Sequence, residues 1–307
     1  MISKLLILKI LQLFCFMIIG FVLTKIKVIK NEDSSVLSRL CLYLLMPSAI
    51  LNAFDFEKTG QMGRGLLLSF GAAIAVHAVL YILDCMYGKF ISKNAVERAS
   101  LMYSNAGNLI IPIVSFVLGN EWVVYSTAYL SVQLIFIWSH GINLFSKDEK
   151  FSIKKVLLNV NIIAIMLGVM MMLTGLRLPS FVKNITTPLG DMVGTVGMLI
   201  AGILAANINF KKSLTDKRLY RAVLMRMIVY PMVSLVVLKL LSLIPVENNG
   251  KILLISFLAS ITPSAATVMQ FAQIKDCEPE YAATINIFTT IACIVTMPLL
   301  VMLFDCI

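Results

Sequence analysis

Charge is scarce in this chain: Asp, Glu, Lys and Arg make up 14% of its 307 residues, against about 25% in an ordinary soluble domain. With 59% hydrophobic residues and a mean hydropathy of +0.92, that shortage excludes water as the main solvent. The six cysteines, Cys15, Cys41, Cys85, Cys277, Cys293 and Cys306, show no CxxC spacing. Most lie in apolar runs, where Cys acts as a small hydrophobe, so they are read as packing residues and not as disulfides or metal ligands. A GxxxxGK[ST] loop, an HExxH motif and a GxSxG elbow are all missing, so neither ATP-driven pumping nor common hydrolase chemistry has support. No cofactor is expected. A membrane enzyme or a sensor lacks both a catalytic constellation and a soluble signalling domain.

The formal charge of +10 does not mark a nucleic-acid partner, because Lys and Arg gather in short loops between apolar stretches. Those stretches lie near 5–24, 35–54, 65–88, 99–118, 122–143, 157–175, 186–207, 220–244, 251–272 and 281–304. A spanning helix takes roughly 20 apolar residues. Ten helices therefore use up the chain and leave no separate soluble domain. None of the stretches alternates with period two, which argues against barrel strands; across lipid, helices then satisfy their own backbone. The first stretch has early lysines but no small-x-small cleavage pattern before Lys25, so it is expected to be a retained span.

Orientation follows from the basic residues. Lys4, Lys9, Lys58, Arg64, Arg177, Lys183 and Lys251, seven in all, fall on one side. Sixteen fall on the other: Lys25, Lys27, Lys30, Lys89, Lys93, Arg98, Lys147, Lys150, Lys154, Lys155, Lys211, Lys212, Lys217, Arg218, Arg221 and Lys275. The richer side is expected to be cytoplasmic, which puts both termini outside the cell membrane. The charged stretch 146–155 divides the chain into 1–145 and 156–307, with five spans each. An odd number per half forces opposite orientations, so two inverted five-helix repeats joined by a cytoplasmic linker are expected. Repeats of this kind hold a substrate near the midplane where they meet.

The fourth stretch, RASLMYSNAGNLIIPIVSFVLG, gathers Ser104, Asn105, Gly107 and Asn108 near its middle, followed by Pro112. Polar amides are costly in hydrocarbon unless they face protein or water. Gly and Asn weaken the helix, and Pro112 removes a donor. An unwound stretch over Asn105 to Asn108, with a helix break at Pro112, is expected. The ninth stretch, GKILLISFLASITPSAATVMQFAQ, repeats the arrangement with Ser260, Thr262, Pro263 and Ser264, and a break is expected at Pro263. Either proline taken alone is equally compatible with a mere kink. Breaks at matching positions would cross and point half-helix N-termini at an anion.

His77 and Asp84 lie seven residues apart, about two turns on one helix face. They are candidates for a proton relay, although Asp84 near a helix end can also simply pair with a basic side chain. Gln133, central in its span, either lines the cavity or bonds another helix. Arg226 and Lys239 are expected to snorkel to the nearer interface, and Asp191 to pair with Lys183 or meet outside water. Gly194, Gly197 and Gly202 are read as a packing surface that lets one helix slide on another.

SNAGNLIIP in the fourth span, ITPSAATVMQFA in the ninth and MPSAIL at 46–51 together resemble the auxin efflux carrier family, which includes bacterial permeases. The resemblance implies an inverted-repeat carrier with a scaffold and a moving part, elevator-like alternating access, and a small organic anion as substrate. It carries Asn105 and Asn108 over as crossover amides and Pro263 as the crossover proline. Plant members have Pro directly before the first amide, where this chain has Ser104, and their long central loop is replaced by about ten residues. The expected site is thus Ser104, Asn105, Gly107 and Asn108 opposite Thr262, Pro263 and Ser264, with Gln133 beside them. A carboxylate is the expected ligand, the lipid bilayer the surroundings, and a homodimer an allowed assembly. With no sodium-site carboxylate at either crossover, facilitated diffusion or proton coupling is favoured. The alternative is a sodium-coupled organic-anion symporter of the bile acid carrier type.

Overall fold

The computed structural model describes residues 2–55, 62–145, 154, 157–208 and 210–306. Of Asn108 and Pro112 only the backbone is described, and the linker 146–155 lies outside the described residues apart from Lys154. The chain is helical, with no strand among the described residues beyond one isolated bridge. We label the main helices α1 (Ile2–Lys25), α2 (Asp33–Ala53), α3 (Met62–Phe90), α4a (Ala95–Met102), α4b (Ala106–Val117), α5 (Val123–Phe145) and α6 (Val160–Thr174). They continue with α7 (Ser180–Ala205), α8 (Lys217–Leu241), α9a (Asn249–Ser260), α9b (Ala266–Ile274) and α10 (Pro279–Cys306).

Six of these, α2, α3, α5, α7, α8 and α10, are long and apolar enough to cross a membrane, and α1, α6 and α9a add shorter apolar helices. Large apolar side chains such as Leu67, Leu173, Val236 and Leu299 point outward. Exposed apolar surface on this scale marks contact with lipid.

Polar residues within the helices explain much of the packing. α2, α5 and α8 each contain a π-helical turn, at Cys41–Leu45, Ile137–Gly141 and Met225–Val229. Such a turn inserts a residue and leaves backbone groups looking for partners. In α2 the carbonyl of Leu42 is taken by the buried Asn161 Nδ2 of α6 at 3.0 Å. α1 and α7 run close along each other, since a Cβ on Gly202 would collide with the Met17 carbonyl oxygen. α2 packs on α6 and α7, whereas α3 packs on α5, α8 and α9a, and α10 on α9b. α1, α2, α6 and α7 thus form one group and α3, α5, α8 and α9a another, with α10 packed on α9b and also on α1 and α7.

Several expectations change. Pro112 breaks nothing, because α4b runs from Ala106 through it to Val117. The one hydrogen bond a helical proline forfeits is evidently tolerated inside a packed bundle. Arg226 does not snorkel but is fully buried. Lys183 bonds Asp55 and not Asp191, its Nζ donating to Oδ2 at 2.6 Å. α7 starts at Ser180, earlier than the apolar stretch, because its first turns, which carry Lys183, Asn184, Thr186 and Thr187, extend the helix beyond the hydrophobic run.

Candidate functional site

The fourth helix stops at Met102 and restarts at Ala106, and the ninth stops at Ser260 and restarts at Ala266. Each break frees backbone donors and acceptors in a region without water, so each must find partners. They find each other. Ser104 and Ser264 form an antiparallel bridge: the Asn105 N–H donates to the Pro263 carbonyl at 2.8 Å and the Ala265 N–H to the Tyr103 carbonyl at 3.0 Å.

Flanking helices satisfy what remains. Gln133 of α5 clamps Ser104, its Nε2 donating to the carbonyl at 2.9 Å while Oε1 accepts from the backbone N–H at 3.1 Å and the hydroxyl at 2.5 Å. Asn286 and Thr289 of α10 treat Ser264 alike: Asn286 Nδ2 donates to its carbonyl at 2.6 Å, and Thr289 Oγ1 accepts its N–H at 3.2 Å. Arg226, delivered by the π-turn of α8, donates to the carbonyls of Leu101 (3.0 Å), Ser260 (2.8 Å) and Thr262 (2.7 Å). Those carbonyls belong to the C-terminal ends of α4a and α9a and to the second residue beyond α9a, where the helix dipole is negative and cations are favoured. Among the described residues Arg226 has no ion-pair partner; the titratable groups around it include Tyr129, Tyr230, Cys293 and His77.

The opposite ends, the N-termini of α4b and α9b, open on a small cavity of about 30 Å³. Asn105 and Ala265 cap them without a side-chain bond to their own helix. Asn105 Oδ1 instead accepts from Ala266 N at 3.4 Å across the crossing, while its Nδ2 is buried with no acceptor among the described residues. The Ser264 hydroxyl is likewise unpartnered. The other wall comes from Met46, Ala49 and Ile50 of α2 and Val193 of α7. The cavity therefore lies where the two helix groups meet. It is an order of magnitude smaller than the roughly 300–1,000 Å³ of typical ligand pockets, so its walls must part to admit an organic acid. A larger cavity of about 620 Å³, lined by Asp216, Arg218, Glu278 and Tyr281, lies away from the crossing. There Arg218 bridges Asp216 and Glu278.

The sequence-derived candidates divide accordingly. Ser104, Asn105, Pro263, Ser264 and Gln133 meet at the crossing. Thr262 turns its hydroxyl to the Ala259 carbonyl at 3.1 Å and offers its own carbonyl to Arg226. Gly107 faces Met46 across the cavity. Asn108 is already in the first turn of α4b, so the unwound stretch is Tyr103 to Asn105 and not Asn105 to Asn108.

His77 and Asp84 are not brought together. His77 is buried against Tyr129 and Phe136, with Nδ1 2.8 Å from the Ala73 carbonyl. Asp84 accepts from Arg98 Nε at 3.1 Å and NH2 at 2.5 Å and lies 3.2 Å from His140 Nε2. Sequence reasoning missed Arg226, Asn286, Thr289 and His140. For Arg226 the signal was a guanidinium in an apolar run with no acid nearby in sequence; for α10 it was polar residues at i, i+3 and i+4.

The family model described as membrane transport protein matches the chain twice, over residues 5–153 and 149–301. The chain belongs to this family, that of the auxin efflux carriers. Membership makes it a membrane transporter; the family is not one of enzymes. Between them the two matches cover nearly the whole length of this auxin efflux carrier family member. They give no support to the bile acid carrier alternative. No curated protein matches the chain.

Proposed function

We propose that the chain is a secondary transporter of the cell membrane that carries a small organic anion, with a carboxylate bound at the crossing of α4 and α9. The observation that carries this reading is electrostatic. Two half-helix N-termini converge on one cavity, and behind them the buried Arg226 cancels the negative ends of α4a and α9a without any acidic partner of its own among the described residues. A buried cation without a counter-charge is costly. An anion at the N-termini supplies the missing charge and takes up the free Asn105 Nδ2.

The position of the cavity supports alternating access of the elevator kind. α3, α4, α5, α8, α9 and α10 would carry the substrate past a scaffold of α1, α2, α6 and α7, whose wall of Met46, Ala49 and Val193 is apolar and makes few directional contacts. The same reading takes 1–145 and 156–307 as inverted five-helix repeats joined by the cytoplasmic 146–155, with both termini outside.

A thermal-shift panel tests the site. Mono- and dicarboxylic acids raise the unfolding temperature of the solubilised protein, and their uncharged amides do not. Equal effects of acids and amides, or none from either, would remove the anion assignment.

A further inference from the structure

His140 lies in the π-turn of α5, between a carboxylate and a phenol. Its Nε2 is 3.2 Å from Asp84 Oδ2, and its Nδ1 is 2.8 Å from the Tyr103 hydroxyl. That hydroxyl is also 3.0 Å from the Phe136 carbonyl. Gly141 makes room for this, because a Cβ there would press on the Tyr103 ring at 3.0 Å.

Counting protons decides the state of the ring. Asp84 is bound in two places by Arg98, which requires a carboxylate, so the proton between it and His140 sits on Nε2. The phenol has one proton for two neighbours. If it points to Nδ1, two oxygens face each other at Phe136 with nothing between. If it points to the Phe136 carbonyl, Nδ1 must carry a proton of its own. The imidazolium satisfies all three of these contacts: Nε2–H to Asp84, Nδ1–H to the Tyr103 oxygen, and the phenolic O–H to Phe136.

We propose that His140 is a proton-binding site coupled to the crossing, and that its proton travels with the substrate anion. The connection is short. Tyr103 ends α4a, its carbonyl accepts the Ala265 N–H, and the next residue, Ser104, lines the cavity. Loss of the proton turns the phenolic O–H from Phe136 towards Nδ1 and shifts the residue on which the crossing hangs. Gaining it adds one positive charge to the helices that hold the anion.

Other groups around His140 are accounted for. α3 brings the Tyr81 ring edge-on at 5.0 Å beside Asp84, and α4a brings Arg98 and Tyr103. Tyr230 of α8 lies in the field of Asp84 and Arg98. α9b packs Phe271 on Trp138 and Phe145 of the same helix. Asp84 holds one net charge against Arg98, so His140 is the group left to change.

The chain has two histidines, which makes the test direct. Full-length protein labelled with ¹³C-histidine in liposomes should show one ring signal that responds when the sample is taken from about pH 5 to 8. It should be absent in His140→Gln and move its midpoint in Asp84→Asn and Tyr103→Phe. A His140 signal constant over that range overturns the proposal. Coupling, which rests on the anion reading above, is measured with labelled lactate or succinate outside and a pH dye inside. Wild type acidifies the lumen as anion enters, with uptake falling about tenfold per pH unit above the midpoint. His140→Gln, which keeps a donor and an acceptor, should take up anion without acidification or pH dependence, and acidification equal to wild type overturns coupling. If wild type takes up neither acid, the anion reading has failed, and the histidine titration still decides the proton site.

Discussion

Ser104 and Ser264 face each other across the antiparallel bridge, and each has its carbonyl held by an amide from a neighbouring helix, Gln133 of α5 or Asn286 of α10. The same solution thus appears in both halves with different side chains. Gln133 alone covers the N–H and carbonyl of Ser104, while Ser264 divides the work between Asn286 and Thr289.

Removing these clamps should destabilise the protein in a definite order. An orphaned buried polar group costs about 1–3 kcal/mol. Gln133→Leu strands two backbone groups and Asn286→Leu one, so Gln133→Leu should show the larger fall in thermal midpoint. The reverse order would mean that the clamps do not carry the crossing.

Arg226→Lys separates geometry from charge. A lysine keeps the charge but, being a point donor, does not span three carbonyls on two half-helices. The variant should melt lower than wild type yet still be stabilised by carboxylates. Arg226→Gln should lose the carboxylate-induced shift. Equal carboxylate response in both variants would remove the charge of Arg226 from the account.

How much of this could be read in advance depended on the kind of feature. Pro263, Ser264, Ser104 and Asn105 announce the breaks because residues that disturb a helix are rare in the middle of an apolar run. Pro112 looked equally disruptive and is not, since a single lost hydrogen bond is absorbed by packing. His77 and Asp84 share a face by α-helical spacing, but Asp84 pairs with a basic side chain, Arg98, and also with His140 of α5, more than fifty residues later, on a π-turn that spacing does not foretell. Arg226 was misread for a related reason. Whether a guanidinium snorkels or turns inward depends on the carbonyls another helix has set free, and those become visible only once the chain is folded.

At the end of α2, Asp55 accepts from Arg177 Nε at 2.7 Å and from Lys183 Nζ at 2.6 Å. Burial raises the carboxyl's pKa, but these bonds outweigh it and hold the value at about 2, below the ordinary value of about 3.9. A depressed acid contributes stability above its unfolded pKa and loses it as pH falls through the folded one. The difference in thermal midpoint between wild type and Asp55→Asn should therefore be constant from about pH 5 to 8 and vanish between about pH 4 and 2. A difference that persists at the acid end would contradict the ion pairs.

Gly202 and Gly20 bring α1 and α7 into backbone contact, with added Cβ atoms meeting Met17 and Leu199 carbonyls. Gly202→Leu should prevent recovery of monodisperse protein, because backbone cannot yield as a side chain would. Recovery at wild-type levels would show that these helices are free to separate.

The central claim is that the crossing binds an organic anion, and uptake by Asn105→Asp tests it most directly. A carboxylate in place of the amide removes the free donor and puts a negative charge at both half-helix N-termini. Liposomes with wild-type protein should accumulate a labelled carboxylate, Asn105→Ala should do so about tenfold less well, equivalent to about 1.4 kcal/mol of lost hydrogen bonding, and Asn105→Asp not at all. Undiminished uptake by Asn105→Asp would contradict the account.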